Sequence, residues 1–227
     1  MTSLSARLQA VRARIDRAAR QYRRDPAAVR LLAVSKGWPA LQVGELAAAG
    51  QQAFGENYVQ EGLAKIGELH DRGLDWHFIG SLQANKTRLV AEAFDWVHSL
   101  DQLRIAQRLS GQRPASLSPL SVCLQVNVSG EASKGGVPPA ALRDLAQEVA
   151  HLPQLRLRGL MTLPAASDDF SEQRRAFCCL RELSEQLQAD GLLLDTLSMG
   201  MSHDLEAAIA EGATLVRVGT AIFGERT

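Results

Sequence analysis

The first segment of the chain has apolar residues at every third or fourth position, which is the spacing of an amphipathic helix. These positions run from Leu4 to Tyr22 and share one face, while arginines occupy most of the opposite face. A basic helical face could bind a polyanion, but a solvated outer face explains the same residues without a partner. We therefore predict an N-terminal amphipathic helix whose arginines face solvent.

Beyond Pro26, short apolar segments alternate with helical patterns as far as the C-terminus. The apolar segments, rich in Val, Leu, Ile or aromatic residues, are typical of buried parallel strands. The predicted strands are Arg30–Ser35, Gln52–Phe54, Asp75–Ile79, Asp95–Ser99, Leu120–Val128, Leu155–Met161, Leu194–Ser198 and Thr214–Val218. The predicted helices between them are Pro39–Ala49, Tyr58–Leu69, Ala84–Ala93, Gln102–Leu109, Pro139–His151, Glu172–Ala189 and His203–Glu211. Pro39, Pro139 and Ser171 are helix-start signals, and Gly50 and Gly212 are stop signals.

This alternation predicts a (β/α)8 barrel, the TIM-barrel class of α/β fold, with one extra N-terminal helix. The chain has 227 residues, close to the ~250 that such barrels usually need. The stretches 111–119 and 129–138 are rich in Gly, Pro and Ser but are too short to join independent domains, so we expect loops there. We expect a single domain over residues 1–227, and a doubly wound open sheet is the alternative fold.

Composition and charge limit the classes of function. Lys and Arg number 25 and Asp and Glu number 25, so no global positive field favours nucleic acid. The cysteines Cys123, Cys178 and Cys179 lack a CxxC spacing, which favours a reducing compartment. Nothing near Met1 resembles a signal peptide, and no apolar run approaches the ~18 residues of a membrane span. We expect a soluble, cytoplasmic, monomeric protein without nucleic-acid or membrane partners.

Functional residues of a TIM barrel lie at the carboxyl-terminal ends of its strands, so those ends hold the candidate chemistry. The first predicted strand runs into Ser35-Lys36-Gly37-Trp38. A lysine at the barrel mouth, in a low dielectric, could supply the neutral amine that attacks aldehydes. The alternative is a strand-end lysine whose ammonium group reaches into water.

The last two predicted strands run into Ser198-Met199-Gly200-Met201-Ser202 and Arg217-Val218-Gly219-Thr220. In TIM barrels the loops after strands seven and eight, with a short helix N-terminus, form the recurrent phosphate site. Backbone N–H groups at Gly219 and Thr220, and the hydroxyls of Ser198, Ser202 and Thr220, could therefore hold a dianion. Ser202 and Thr220 could also be helix caps. Because strands one and eight are neighbours in a closed barrel, Lys36 and this cradle would face one ligand, an aldehyde that carries a phosphate.

Arg217 lies between Val216 and Val218, and strand alternation turns it into the barrel if the valines face the helices. An arginine among apolar residues is costly unless it is paired. A ring nitrogen of the ligand would be one partner, and the carboxylate of Glu56 would be another.

Several long motifs occur together in this chain. They are Leu32-Ala33-Val34-Ser35-Lys36, Phe54-Gly55-Glu56-Asn57-Tyr58, the segment from His77 to Lys86, Gly159-Leu160-Met161, the segment from Leu197 to Ser202, and the segment from Val216 to Gly224. In this order they closely resemble the YggS/PROSC family of pyridoxal phosphate homeostasis proteins. The resemblance runs from the first helix to Gly224 and is far more specific than a lone glycine motif.

The resemblance implies a barrel like the N-terminal domain of alanine racemase, with pyridoxal 5′-phosphate held as a Schiff base and without an established catalytic activity. It makes Lys36 the Schiff-base lysine, puts Asn57 beside the cofactor ring and Arg217 near the pyridine nitrogen, and lets Met199 line the pocket. It also makes Ser198, Ser202, Gly219 and Thr220 ligands of the phosphate. His203 stands at a variable position of the motif and carries little information.

Three functions compete at this stage: a carrier and regulator of the cofactor, a racemase-like enzyme, and a cofactor-free aldolase acting on a sugar phosphate. A racemase needs a second acid–base group on the face of the cofactor opposite the lysine, and Tyr58 is the one easy source. An aldolase needs a carboxylate close to the lysine, and Glu56 is the candidate. The resemblance favours the carrier, which could contact apo forms of pyridoxal-phosphate enzymes transiently.

Overall fold

Eight parallel strands close into a barrel in chain order. The computed structural model describes residues 3–131 and 135–225. Its strands are β1 (Arg30–Val34), β2 (Ala53–Glu56), β3 (Asp75–Phe78), β4 (Trp96–Leu100), β5 (Leu120–Gln125), β6 (Leu155–Met161), β7 (Thr196–Ser198) and β8 (Leu215–Val218). β1 pairs with β8 from Arg30 opposite Leu215 to Ala33 opposite Val218. The predicted TIM barrel is confirmed, and the open sheet is wrong because this pairing joins the first strand to the last.

Helices alternate with the strands along the chain. They are α1 (Leu4–Gln21), α2 (Ala40–Ala48), α3 (Val59–Glu68), α4 (Thr87–Ala93), α5 (Leu103–Gln112), α6 (Pro139–Ala150), α7 (Phe170–Ala189), α8 (Leu205–Ala210) and α9 (Thr220–Phe223). No helix within the described ranges is long and apolar enough to cross a membrane. The extra N-terminal helix is thus present as α1, and α9 is a short final helix that directly follows β8.

Some element ends differ from the predictions for local reasons. β5 ends at Gln125 rather than Val128, because Val126 already leaves the strand and makes only an isolated bridge to Val137. Helix α7 begins at Phe170, since the side chain of Asp169, not Ser171, accepts the first free backbone N–H groups. Residues 132–134 of the predicted loop 129–138 lie outside the described residues.

Helix α1 packs its apolar face on the barrel, with Leu8, Val11 and Ile15 buried in the main core. The prediction that its arginines only face solvent is wrong. Arg12 Nη2 donates to the carbonyl oxygen of Gly50 at 2.8 Å, and Arg24 Nη1 donates to the carbonyl oxygen of Ala213 at 2.7 Å. Long arginine side chains thus reach backbone acceptors: Arg12 on α1 binds the turn before β2, and Arg24, three residues after the end of α1, binds the turn before β8.

Candidate functional site

A cavity of about 280 Å³ opens at the carboxyl-terminal ends of β1 and β8. It is lined by Val34, Lys36, Trp38, Met201, Ser202, His203, Arg217, Gly219, Thr220 and Gly224. Five predicted site residues therefore meet here, namely Lys36, Ser202, Arg217, Gly219 and Thr220. This volume lies just below the range of about 300–1,000 Å³ that is usual for small-molecule pockets.

Larger cavities lie elsewhere on the molecule. One of about 550 Å³, lined by residues that include Leu155, Arg158 and Asp195, lies beside the amino-terminal end of β6. Another of about 390 Å³ lies between α6 and α7. Neither contains a lysine or a glycine-rich helix start. We locate the site by the convergence of a primary amine, hydroxyls and a guanidinium, because volume alone does not distinguish a functional cavity.

Lys36 lies two residues past the end of β1 and is partly exposed, in a turn whose next residue, Gly37, has φ of +76°. The buried side chain of Lys65, which lies outside the cavity, holds this turn in place. Lys65 Nζ donates to the carbonyl oxygen of Ser35 at 2.7 Å and to Glu61 Oε1 at 2.7 Å. Glu61 Oε1 in turn accepts the backbone N–H of Gly37 at 2.5 Å. The two chain neighbours of Lys36 are thus fixed by one ion-pair cluster.

Glu56 completes this cluster on the helix side of the barrel wall. Its Oε1 accepts from Lys65 Nζ at 2.7 Å and from the Ser35 hydroxyl at 2.5 Å, and the side chain has no exposed surface. Burial raises the pKa of Glu56, and the hydrogen bonds from Lys65 and Ser35 oppose that rise. Glu56 is therefore not the partner of Arg217, and its contacts with α3 turn it away from the cavity where an aldolase would need a carboxylate.

Arg217 points into the barrel, as strand alternation predicts. Its Nη1 donates to Ser198 Oγ at 2.7 Å and its Nη2 donates to the carbonyl oxygen of Thr162 at 2.8 Å. None of the ion pairs among the described residues includes it. Burial lowers the pKa of Arg217 to about 10. The guanidinium is therefore still charged at neutral pH, and neutral oxygens hold two of its nitrogens.

Ser198, predicted as a phosphate ligand, is fully buried and does not line the cavity. Its hydroxyl lies 2.8 Å from His98 Nδ1 as well as 2.7 Å from Arg217 Nη1. Met199, predicted to line the pocket, is also fully buried and packs in the main core. The structure therefore separates Ser198 and Met199 from the cavity lining, although the segment they belong to leads directly into it.

Ser202 lies in the cavity wall, and its backbone is anchored by the N-terminal helix. Arg14 Nη1 donates to the Ser202 carbonyl oxygen at 2.8 Å, and Arg14 Nε and Nη2 bind Glu206 at 2.5 and 2.6 Å. The prediction of Ser202 as a helix cap is wrong, since α8 begins only at Leu205 and Asp204 precedes it. The loop bends tightly because Gly200 has φ of +94° and a Cβ there would lie 2.6 Å from Ala208 Cβ.

Thr220 is the first residue of α9, and Gly219 precedes that helix. The capping role predicted for Thr220 therefore belongs to the position of Gly219. The first N–H groups of a helix have no intrahelical acceptor, so the start of α9 directs backbone donors toward the end of β8. Trp38 stacks on Phe223 with ring centroids 5.7 Å apart, which packs the short helix against the turn after Lys36.

Asn57 borders a neighbouring cavity of about 400 Å³, together with Tyr58, Gln83 and Lys86. Within residues 3–131 and 135–225, its Oδ1 is a buried acceptor without a hydrogen-bond partner. The backbone of Gly80 approaches so closely that a Cβ there would lie 2.1 Å from the Asn57 carbonyl oxygen. Asn57 is thus firmly placed at the end of β2, but outside the cavity that holds Lys36.

Comparison with known proteins agrees with this geometry. The family profile described as "Alanine racemase, N-terminal domain" matches residues 6–227. A pyridoxal phosphate homeostasis protein of Pseudomonas aeruginosa is 60% identical over 100% of this chain and 97% of its own length. One from Escherichia coli is 52% identical over 100% of this chain and 98% of its own length. The chain belongs to the pyridoxal phosphate homeostasis protein family. The family predicted from the sequence motifs is therefore confirmed.

Solved structures of the same fold extend this result. PipY of Synechococcus elongatus, solved with PLP bound, is 40% identical with a TM-score of 0.85, and the match covers 98% of this chain and 100% of PipY. Alanine racemase of Corynebacterium glutamicum is 17% identical with a TM-score of 0.69, over 95% of this chain and 61% of the racemase. The racemase comparison shows a shared fold alone, and a large part of that enzyme has no counterpart in the matched region.

The residues that position the site from outside the cavity are not apparent from the sequence. Glu61 and Lys65 occur four residues apart on a predicted helix, a spacing that indicates a pair but not its contact with the turn after β1. His77 and His98 have no metal-ligand spacing in the sequence, which predicts only structural roles for them. No group of three or more His, Cys, Asp or Glu residues in the described part of the chain could hold a metal ion.

Proposed function

We propose that this protein binds pyridoxal 5′-phosphate reversibly and serves intracellular homeostasis of that cofactor by carriage, supply or regulation. The observation that carries the proposal is the cavity that unites Lys36 with Ser202, Thr220 and Arg217. The names of the relatives and the PLP-bound structure of PipY support it.

The donor set of the cavity fits each part of this cofactor. A phosphate ester needs hydrogen-bond donors, and the Ser202 and Thr220 hydroxyls and the N-terminus of α9 supply them. An aldehyde needs a primary amine, and Lys36 is the lysine in the cavity wall. A pyridine nitrogen is an acceptor, and Arg217 is a charged donor fixed at the cavity floor. When bound, the cofactor supplies an aldehyde that links to an amine reversibly.

We assign separate roles to the other predicted site residues. Ser198 positions Arg217 rather than touching the phosphate, since its hydroxyl is already shared with His98 and Arg217. Met199 supports the wall from the core. Asn57 borders the neighbouring cavity at the end of β2, and its proposed place beside the ring rests on the family resemblance. Lys36, Ser202, Arg217, Gly219 and Thr220 remain the proposed contacts with the bound cofactor.

A carrier needs less machinery than a racemase. Racemisation requires a base on each face of the substrate carbon, whereas Tyr58 is 62% exposed and borders the neighbouring cavity. A charged arginine beside the ring nitrogen disfavours protonation of that nitrogen and weakens the ring as an electron sink. The site therefore favours holding the cofactor over turnover of amino acids.

The test of the carrier is an exchange and transfer experiment. Protein loaded with pyridoxal 5′-phosphate is incubated with L- and D-amino acids in deuterated water, and deuterium at Cα is followed by NMR. In parallel, reactivation of an apo-enzyme by the loaded protein is compared with spontaneous release. We expect transfer faster than release and no multiple-turnover exchange at Cα. Sustained exchange that disappears in Tyr58→Phe would replace the carrier by a racemase-like enzyme.

The setting of this function is also part of the proposal. We place it in the cytoplasm, where Cys123, Cys178 and Cys179 remain the free thiols seen in the structure. The protein acts as a single-domain monomer that meets apo-enzymes only transiently. Sedimentation of the loaded protein with and without an apo-enzyme checks both statements.

A further inference from the structure

A line of hydrogen-bonded polar side chains crosses the barrel interior beneath the cavity. Arg217 Nη1 lies 2.7 Å from Ser198 Oγ, which lies 2.8 Å from His98 Nδ1. His98 Nε2 lies 2.8 Å from His77 Nδ1, and His77 Nε2 lies 3.1 Å from Asp75 Oδ2. Arg217 borders the cavity, and Asp75 begins β3 at the opposite, amino-terminal end of the barrel. The line therefore spans the barrel from its mouth to its base.

Counting protons gives the line one direction. Arginine only donates and an ionised aspartate only accepts. If both imidazoles are neutral, His77 must carry its proton on Nε2 to bind Asp75, so its Nδ1 accepts. His98 must then donate from Nε2, so its Nδ1 accepts the Ser198 proton. Every donor points from Arg217 toward Asp75, and each of the three middle groups donates once and accepts once.

The surroundings of the line support these charge states. Both histidines are fully buried, and burial lowers the pKa of each below its ordinary value, with Arg30 adding to the effect. The His77 ring stacks on Trp96 with centroids 5.2 Å apart, and Arg30 and Arg158 lie over the same indole. Burial raises the pKa of Asp75, but the hydrogen bond from His77 and the nearby charges of Arg30 and Arg158 act against burial, and the pKa lies below its usual value.

We infer that His98 and His77 are positioning residues for Arg217, and that this line gives the cavity its selectivity for a ring with an acceptor nitrogen. The inference rests on the proposed function for the identity of the ligand. Because the Ser198 hydroxyl donates its hydrogen bond to His98 Nδ1, Ser198 Oγ can offer only lone pairs to Arg217. That contact and the Thr162 carbonyl fix two guanidinium nitrogens. Arg217 also borders the cavity, so the remaining donors of the guanidinium are the ones that a ligand there can use.

The first test uses the protein without ligand. Long-range ¹⁵N–¹H NMR of the imidazole rings distinguishes the tautomers of neutral histidine from imidazolium. We expect the Nε2–H tautomer for both His77 and His98 at pH 7.5. An Nδ1–H tautomer or an imidazolium at His98 would overturn the inference, whatever the protein binds.

The second test compares pyridoxal 5′-phosphate with its 1-deaza analogue, in which a CH group replaces the ring nitrogen. We expect wild-type protein to prefer pyridoxal 5′-phosphate by at least about tenfold, the size of one charge-assisted hydrogen bond. His98→Phe should reduce this preference by about threefold or more. His98→Asn should restore it, because the amide oxygen can replace Nδ1 as the acceptor for Ser198. If His98→Phe does not fold, Ser198→Ala removes the same link.

A double-mutant cycle separates positioning from general stability. Arg217→Met should abolish the preference for the ring nitrogen, and adding His98→Phe to it should change nothing further. If His98→Phe loses affinity for both ligands equally, the role of His98 is purely structural. The same holds if His98→Phe and His98→Asn show the same ligand preference. If wild-type protein binds neither ligand, the proposed function fails, while the tautomers measured by NMR still decide whether the line exists.

Discussion

Lys65 Nζ lies 2.7 Å from the carbonyl oxygen of Ser35, the residue that precedes Lys36. The same ammonium group binds Glu56 and Glu61, so its three protons meet three oxygens. Lys65 therefore has no donor left for a ligand, and it does not line the cavity that contains Lys36. This arrangement explains chemically why the partly exposed Lys36, and not Lys65, is the proposed reactive amine.

Lys65→Met should weaken both the fold and the capture of an aldehyde. Removing one partner of a buried ion pair costs about 3–5 kcal/mol, which urea denaturation measures. Affinity for pyridoxal 5′-phosphate should fall more than affinity for pyridoxine 5′-phosphate, an alcohol that cannot link to Lys36. Arg88→Ala is the matched control, since its pair with Glu92 is exposed and also spans four residues. Equal loss of the aldehyde and the alcohol would contradict the positioning role.

Borohydride reduction should fix the cofactor on Lys36. The lysines of the chain are Lys36, Lys65, Lys86 and Lys134, so peptide mapping can assign the added mass without ambiguity. Lys36→Ala should lose the covalent link but keep some affinity through the phosphate contacts, and its unfolding free energy should change little because the side chain is partly exposed. Label found only on another lysine would remove Lys36 from the proposed site.

Replacing Ser202 and Thr220 together by alanine should lower the affinity for pyridoxal 5′-phosphate much more than the affinity for pyridoxal. Each lost hydrogen bond to the charged phosphate costs about 1.5–3 kcal/mol. Titration of both ligands against the double variant measures the difference. The stability of the variant should stay close to wild type, because Ser202 does not cap α8. A similar loss for pyridoxal would mean that these hydroxyls do not face the phosphate.

Arg14→Met should reduce phosphate affinity without removing any ligand contact. Arg14 binds the Ser202 carbonyl oxygen and Glu206, so the variant frees the loop that carries the Ser202 hydroxyl. We expect a smaller loss than in the double variant, measured with the same two ligands. Arg20→Met on the exposed face of α1 is the control and should bind like wild type.

The sequence predicts the barrel well because each strand is a short apolar run between helical patterns. The structure keeps this alternation of strands and helices along the chain. The site is predicted less completely. Lys36, Ser202, Gly219 and Thr220 follow from their places after β1, β7 and β8, and the structure brings them to one cavity. Whether they contact the cofactor remains a prediction.

What the sequence cannot show is contact across the barrel. Ser198 lies 100 positions from His98 in the chain, yet their side chains meet, and Arg14 reaches Ser202 across 188 positions. Such pairs depend on which faces the closed barrel brings together, and no local pattern encodes them. For the same reason the sequence cannot choose between a ring nitrogen and Glu56 as the partner of Arg217. The structure excludes Glu56, because Lys65 on α3 binds its carboxylate.

The buried histidines also predict how stability depends on pH. Burial lowers the pKa of His77, and lowers that of His98 further, from the ordinary value of 6.5. In the folded state they stay neutral, while the unfolded chain takes up protons below about pH 6.5. The free energy of unfolding should therefore be highest above that pH. It should fall as the pH drops toward the lowered values, by up to about 1.4 kcal/mol per pH unit for each histidine.

Urea unfolding between pH 7.5 and 5.2 measures this slope, and His98→Asn is the variant that isolates it. Burial raises the pKa of Glu56 and of Asp95, so these acids lose stabilisation as the pH rises and act with the opposite sign. Because they are present in both proteins, the difference between wild type and His98→Asn cancels their effect. We expect the variant to have the shallower slope, since one of the two histidines that must stay neutral is gone. Identical slopes would mean that His98 is already charged in the folded barrel, which is incompatible with its accepting the Ser198 proton.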